Sequence, residues 1–212
     1  DTDPFNKWEA GRALAKEVMG EMALKGMSVR ADWLDAVAAV TFDETLDPAF
    51  RALCLRLPGE DDLAQTIHAM GRIPDPAKIH AARREMSGAL AIRLGEGLHR
   101  LYKDLDDNAP FSPSADQAGR RALKIAALGL LTRRDGGKLA ASAFARARSM
   151  TEEIGALAAL LDVHQGDKEL VAFAARWGRD ANVMDKWYAL QIATAEPAEA
   201  AALTARLLET PG

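Results

Sequence analysis

The residues that could bind a metal or exchange protons are scattered along the 212 residues of this chain. Its four histidines are His68, His80, His99 and His164. A zinc protease helix needs two histidines one turn apart, with a glutamate beside them, so that both rings face the metal. No two of these histidines have that spacing. We therefore expect them to be surface or capping residues, and we predict no catalytic, cofactor-binding or metal-binding residue in this chain.

An acidic segment that begins at Asp104 resembles a calcium-binding loop only in part. The sixth loop position holds Ala109 where glycine is required, and the twelfth holds Ala115 where a bidentate glutamate is required. We interpret the segment as the acidic end of a helix that leads into a turn.

Residues 133–138 place basic side chains beside Gly136 and Gly137, as phosphate-binding loops do. The first glycine of such a loop is missing, because position 132 is threonine. The segment is better interpreted as a helix stop, in which Gly136 adopts the left-handed conformation and the basic residues complement the helix dipole.

Two acidic clusters and one thiol complete the set of reactive side chains. Glu60–Asp62 and Glu152–Glu153 each fall in the first turn of a predicted helix, where carboxylates stabilise the dipole by about 0.3 to 1 kcal/mol. Cys54 lies between two leucines, which is typical of a small buried hydrophobe in a reducing compartment. We accordingly expect a cytoplasmic protein.

The composition excludes several classes of protein. Hydrophobic residues make up 49% of the chain and charged residues 27%, which excludes a disordered chain. The formal net charge is −4 and the basic residues are dispersed, so we expect no nucleic-acid partner. Charged residues interrupt every apolar run before the ~20 residues that a bilayer requires, so we expect no membrane association.

Alanine makes up roughly a fifth of the residues and no strand pattern is visible, so the sequence predicts an all-α fold. Three predicted helices begin with aspartate followed by proline, at Asp3, Asp47 and Asp75. We place helices at 4–25, 30–41, 47–56, 60–70, 75–104, 114–134, 137–148, 150–164, 167–178, 182–194 and 196–209.

Short connections predict that these eleven helices pack as antiparallel neighbours in an irregular α-solenoid of the HEAT or ARM kind, forming a single domain over residues 1–212. No repeat of fixed length is visible. The glycines at 95 and 97 could divide the helix predicted at 75–104 into two. Residues 106–113 form the one extended loop and the predicted hinge.

Trp177, Trp187 and Leu190 have the spacing of a packed aromatic cluster, so we expect Trp187 to occupy a core position. Its replacement by alanine would then cost on the order of 3 kcal/mol. The neighbouring polar residues Asp185, Lys186 and Gln191 could face another domain, and the sequence leaves that alternative open.

Several motifs together resemble the C-terminal helical domain of bacterial aminopeptidase N, a family of thermolysin-like zinc metallopeptidases. Val183–Gln191 is similar to that family's Val-Met-Asp-Lys-Trp-Phe-x-Leu-Gln, with Tyr188 in place of phenylalanine. The other matches, in the family's order, are Asp1–Ala10, Leu53–Glu60 (with Gly59 in place of serine), Ile73–Pro76 and Ser149–Glu152. The resemblance covers almost the whole chain.

The resemblance implies that this chain is a fragment of a larger enzyme that removes N-terminal residues from peptides with a zinc-activated water. In the family, the zinc ligands and the residues that bind the substrate amine lie in an upstream catalytic domain, and none of those motifs occurs here. The implied role of the fragment is to pack on that domain and restrict access of peptides to the enclosed active site.

Two other functions remain open at the level of sequence. The chain could be a free-standing helical adaptor that binds peptides along one face, which an exposed row of aromatic or asparagine side chains would favour. It could also be a small helical enzyme whose site is assembled from distant residues. We expect no turnover of alanyl amides by this chain, with or without zinc.

Overall fold

The computed structural model describes residues 3–106 and 110–209, and these residues contain helices and no strand. The eleven helices are α1 (Pro4–Lys25), α2 (Ala31–Phe42), α3 (Pro48–Cys54), α4 (Glu60–Ala69), α5 (Pro76–Asp104), α6 (Ala115–Asp135), α7 (Lys138–Arg146), α8 (Met150–Leu161), α9 (Asp167–Trp177), α10 (Ala181–Thr194) and α11 (Ala200–Leu208). The predicted all-α class is confirmed. Part of the predicted hinge, residues 107–109, lies outside the described residues.

The three aspartate–proline pairs begin helices as predicted. Asp47 Oδ1 accepts hydrogen bonds from the backbone N–H groups of Ala49 at 2.8 Å and Phe50 at 3.1 Å. Asp3 and Asp75 cap α1 and α5 in the same way. Each carboxylate satisfies N–H groups that the helix leaves without a partner, and the proline that follows has no N–H to lose.

The chain divides into two compact units, which we call the N-terminal unit (Asp1–Leu130) and the C-terminal unit (Leu131–Gly212). In the N-terminal unit, α1 packs against α2, α3, α4 and α5, and α5 also packs against α2 and α4. The α5 side chains that form this core are almost fully buried and repeat every four residues: Met86, Leu90, Leu94 and Leu98.

Helix α5 is one continuous helix of 29 residues despite its glycines. The Phe42 ring from α2 lies over Gly97, and a Cβ at that position would come within 2.5 Å of the ring. Gly97 therefore allows α2 and α5 to approach closely and does not interrupt the helix.

In the C-terminal unit, α8 is the central element, since it packs against α7, α9 and α10. Its buried residues include Ala156, Leu157 and Leu160, and Phe173 from α9 is also completely buried. Helix α11 packs against α10 and buries no residue.

Two helix boundaries differ from the prediction by three residues or more, and each does so for a local reason. Helix α8 ends at Leu161, three residues early, because the Gln165 N–H turns back to the Leu160 carbonyl at 3.0 Å. Helix α11 begins four residues late, because the Glu199 N–H donates to the Glu196 carbonyl at 2.9 Å in a turn that contains Pro197.

Candidate functional site

The structure places the four histidines apart. His68 and His99 are exposed on α4 and α5. His80 Nδ1 lies 2.9 Å from Glu60 Oε1, and His164 Nε2 lies 3.0 Å from Glu196 Oε1. Among residues 3–106 and 110–209, no three side chains of histidine, cysteine, aspartate or glutamate converge as a metal site requires. The two paired histidines tie neighbouring segments together.

The acidic cluster at the start of α4 contacts side chains of two other helices. Glu60 pairs with His80 on α5. Asp62 pairs with Arg12 and with Lys16, both on α1, and the Lys16 Nζ lies 2.7 Å from Asp62 Oδ1. These carboxylates therefore join α4 to α1 and α5, in addition to their favourable position at the helix N-terminus.

The basic segment at residues 133–138 is a helix stop, as predicted. Helix α6 ends at Asp135, and Gly136 follows with φ of 67°. The Asp135 carboxylate accepts from the backbone N–H groups of Gly137 at 3.0 Å and Leu139 at 2.8 Å, so it caps α7. Arg133 pairs with Asp162 at 2.6 Å.

A concavity of about 400 Å³ lies beside this stop, between the N-terminal ends of α7 and α9. Its charged lining residues are of both signs: Lys138, Asp167, Lys168 and Glu169. Because acidic and basic side chains are mixed, the concavity favours neither an anion nor a cation. The Asp135 carboxylate already accepts from two of the backbone N–H groups at the start of α7.

The C-terminal unit contains a buried carboxylate, Glu153, whose partners are not evident from the sequence. Glu153 stands in the first turn of α8, as predicted, but its side chain is only 3% exposed. It accepts hydrogen bonds from Arg176 Nη1 and Trp177 Nε1 of α9, each at 3.0 Å. Glu153 thus joins α8 to α9. Its partners lie 23 and 24 residues away, a separation that carries no signal in a single sequence.

Trp187 does not occupy the fully buried position that its spacing suggested. Its ring is half-buried, and Nε1 donates to the Leu170 carbonyl at 3.1 Å. The ring contacts of the described C-terminal unit pair Trp187 with Tyr188 and Trp177 with Phe173. The expected cluster of Trp177 with Trp187 is therefore replaced by two separate pairs, and the core residue is Phe173.

Because the Trp187 ring is only partly buried, we expect Trp187→Ala to lower the free energy of unfolding by about 1.5 kcal/mol, less than the cost of emptying a core position. Urea unfolding followed by circular dichroism measures this change. Trp187→Phe is the matched control, because it keeps a ring and removes the indole donor, and it should cost about 1 kcal/mol or less. A loss of about 3 kcal/mol for the alanine variant would restore the core assignment.

Cys54 and Arg51 have structural roles. Cys54 is half-buried, and burial raises the pKa of its thiol, which disfavours the nucleophilic thiolate. Arg51 is buried, and burial lowers the pKa of its guanidinium. Its Nε donates to the Thr41 carbonyl at 2.9 Å, which fixes α3 against the end of α2.

In the part of the chain that the structure describes, no helix combines the length and the apolar character needed to span a membrane.

Comparison with known proteins gives one consistent result. A family model described as a domain of unknown function (DUF3458_C) with ARM repeats matches residues 1–212. Aminopeptidase N of Caulobacter vibrioides is 36% identical over 198 residues, a match that covers 90% of this chain and 22% of that protein. Aminopeptidase N of Escherichia coli is 26% identical over 197 residues and has similar coverage, 88% and 22%.

A solved structure also matches. The crystal structure of Legionella pneumophila aminopeptidase A in complex with aspartic acid superposes with a TM-score of 0.83 at 20% identity, over 99% of this chain and 26% of that one. At this identity the match supports the fold, and it agrees with the predicted helical solenoid.

The chain spans about a fifth of the length of the aminopeptidase N relatives that it matches. The match to the family model over every residue shows that the chain belongs to the DUF3458_C family of ARM-repeat domains, and it confirms the predicted resemblance to the C-terminal portion of aminopeptidase N.

Proposed function

We propose that this chain is a non-catalytic fragment of the C-terminal domain of a zinc-dependent aminopeptidase that removes N-terminal residues from peptides. The observation that carries the proposal is the 36% identity to an aminopeptidase N over 198 residues, which are only 22% of that protein. The family match over residues 1–212 supports the assignment of the whole chain to one helical domain.

The zinc of the proposed parent enzyme would be bound outside this chain. A catalytic zinc needs three protein ligands that converge on one point and leave a position open for water. The described histidines and carboxylates do not fit this requirement, because His80 and His164 each face a single glutamate and the other two histidines lie on exposed helix surfaces. We derive no catalytic step through the residues of this chain.

The role that remains for the domain is to shape the space around the active site of the parent. Helices packed against the catalytic domain would enclose the site, keep bulk water out and admit short or unfolded peptides. The ties that involve Asp62, Glu153 and Arg51 suit a rigid wall of this kind, because each joins two helices of one unit. We also propose that the parent enzyme is cytoplasmic, because the position of Cys54 between two leucines is typical of a small hydrophobe in a reducing compartment.

The test compares the chain of residues 1–212 with the full-length parent in hydrolysis of an alanyl amide, with and without added zinc. We expect the parent to turn over the substrate and the chain alone to show no activity above background. The parent should also cleave short peptides much faster than a folded protein with the same N-terminal residue, since an enclosed site excludes the folded chain.

Hydrolysis by residues 1–212 alone at a rate near that of the parent would overturn the proposal. A native reading frame that begins close to Asp1, with no zinc-binding module ahead of it, would overturn it as well.

A further inference from the structure

The first half of α1 extends beyond the core of the N-terminal unit. The helix has 22 residues and is therefore about 33 Å long. Its buried residues are Ala15, Val18, Met19, Met22 and Ala23, all in the second half. Between Pro4 and Leu14 every residue is exposed or half-buried.

The apolar stripe of α1 continues into this uncovered half. Met22, Met19 and Ala15 mark the buried face, and further steps of three or four residues lead to Arg12, Trp8 and Phe5. Residues three and four apart lie on the same face of a helix. Phe5 and Trp8 therefore lie on the same side of α1 as the core face that begins at Ala15, about two to three turns later.

The ring of Phe5 is exposed and that of Trp8 is partly buried, and neighbouring side chains hold both in place. The centroids of Phe5 and Trp8 are 6.0 Å apart. The Arg12 guanidinium lies 5.5 Å from the centroid of Trp8 and also pairs with Asp62 on α4. An aromatic pair fixed by an anchored arginine loses little side-chain entropy when a partner covers it.

The surface formed by Phe5, Trp8 and Arg12, which we call the aromatic end of α1, has the composition of a binding hot spot. Tryptophan and arginine are enriched at such positions, and alanine replacement of hot-spot residues commonly weakens binding by roughly thirtyfold or more. Phe5 retains 66% of its surface in contact with solvent, a high value for a residue on the core face of a helix.

We propose that the aromatic end of α1 docks against the part of the same polypeptide that precedes residue 1 in the parent enzyme. This inference rests on the proposed function, which places such a part upstream. Asp3 caps α1, so an upstream folded region would be tethered within a few residues of Phe5, and each residue spans at most about 3.5 Å. The tether gives that region a high effective concentration at this surface.

Side-chain oxidation by hydroxyl radicals in the full-length parent tests the proposal. The readout is a protection factor, the ratio of the oxidation rate in urea-unfolded parent to the rate in native parent. For Phe5 we expect protection of roughly tenfold or more, as for a residue at the dry centre of an interface, and Trp8, which is already partly buried, should be protected at least as well. A ring that keeps two thirds of its surface exposed should be protected less than about twofold.

The variant Phe5→Asp provides the second arm. An aspartate in the first turn favours the helix dipole, so the helix should persist while a carboxylate is placed in the contact. We expect the protection of Trp8 in the parent to fall several-fold. The matched control is Phe111→Asp, which alters a ring that is 58% exposed in a loop of the same unit, and it should leave Trp8 unchanged.

Each other outcome overturns the proposal. Protection of Phe5 below about twofold in the parent would show a free surface. Protection that disappears on dilution, together with a dimer in analytical ultracentrifugation, would assign the surface to a second copy of the chain. Because oxidation does not depend on turnover, failure of this inference is distinct from the absence of an upstream peptidase module, which would overturn the proposed function itself.

Discussion

Phe173→Ala is expected to lower the free energy of unfolding of the C-terminal unit by about 3 to 5 kcal/mol. Phe173 has no surface exposed to solvent, and its ring lies 6.3 Å from that of Trp177. Removing the ring loses its burial and leaves a cavity that α8 and α9 cannot fully close. Urea unfolding of residues 1–212, followed by circular dichroism at the helical minimum, measures the loss.

The matched control for this variant stands two residues away on the same helix. Val171 is 71% exposed, so Val171→Ala should change the free energy of unfolding by less than about 0.5 kcal/mol. A loss below about 1 kcal/mol for Phe173→Ala would show that the ring does not belong to the core. Equal losses for the two variants would show that burial of the Phe173 ring adds no specific stability, since alanine is the better helix former at both positions.

Helix starts could be predicted from the sequence because they depend on neighbouring residues. An aspartate followed by proline satisfies local N–H groups wherever the rest of the chain goes, and Asp3, Asp47 and Asp75 all cap helices. The apolar stripe of α5 could also be predicted, because its spacing depends on one helix alone. Both features needed no knowledge of the packing partner.

Features that depend on a distant partner could not be predicted in the same way. The glycines of α5 suggested a break, and only the position of the Phe42 ring explains why Gly97 is compatible with a continuous helix. Spacing placed Trp187 in the core, whereas Phe173 is the buried ring. A helical stripe states which face is apolar but does not state how deeply each residue on it is covered.

The same distinction applies to the repeats and to the function. No fixed-length repeat is visible by inspection, although the chain belongs to a family with ARM repeats. Repeated helix pairs share apolar positions and not residue identities, so their period is hidden in a single sequence. Specific segments such as Val183–Gln191 indicate the family, whereas composition alone indicates only an all-helical fold.

The sequence correctly places Glu153 in the first turn of α8, but the larger contribution of its carboxylate to stability comes from its contacts with α9. Its place in the first turn of α8 accounts for less than about 1 kcal/mol. We expect Glu153→Ala to lower the free energy of unfolding by about 2 to 3 kcal/mol, because Trp177 Nε1 and Arg176 Nη1 lose a buried acceptor. The loss stays below that of a fully buried ion pair, since Arg176 is 58% exposed and can be solvated.

Two controls separate the buried contact from the helix dipole. Glu153→Gln keeps an acceptor for Trp177 and removes the charge, so it should cost roughly half as much as Glu153→Ala. Glu199→Ala removes an exposed glutamate at the start of α11 and should cost less than about 0.5 kcal/mol. If Glu153→Ala cost no more than Glu199→Ala in urea unfolding, the contact with α9 would contribute nothing to stability. The dipole would then be the whole role of Glu153, and the rigid wall proposed for the parent enzyme would lose one of its ties.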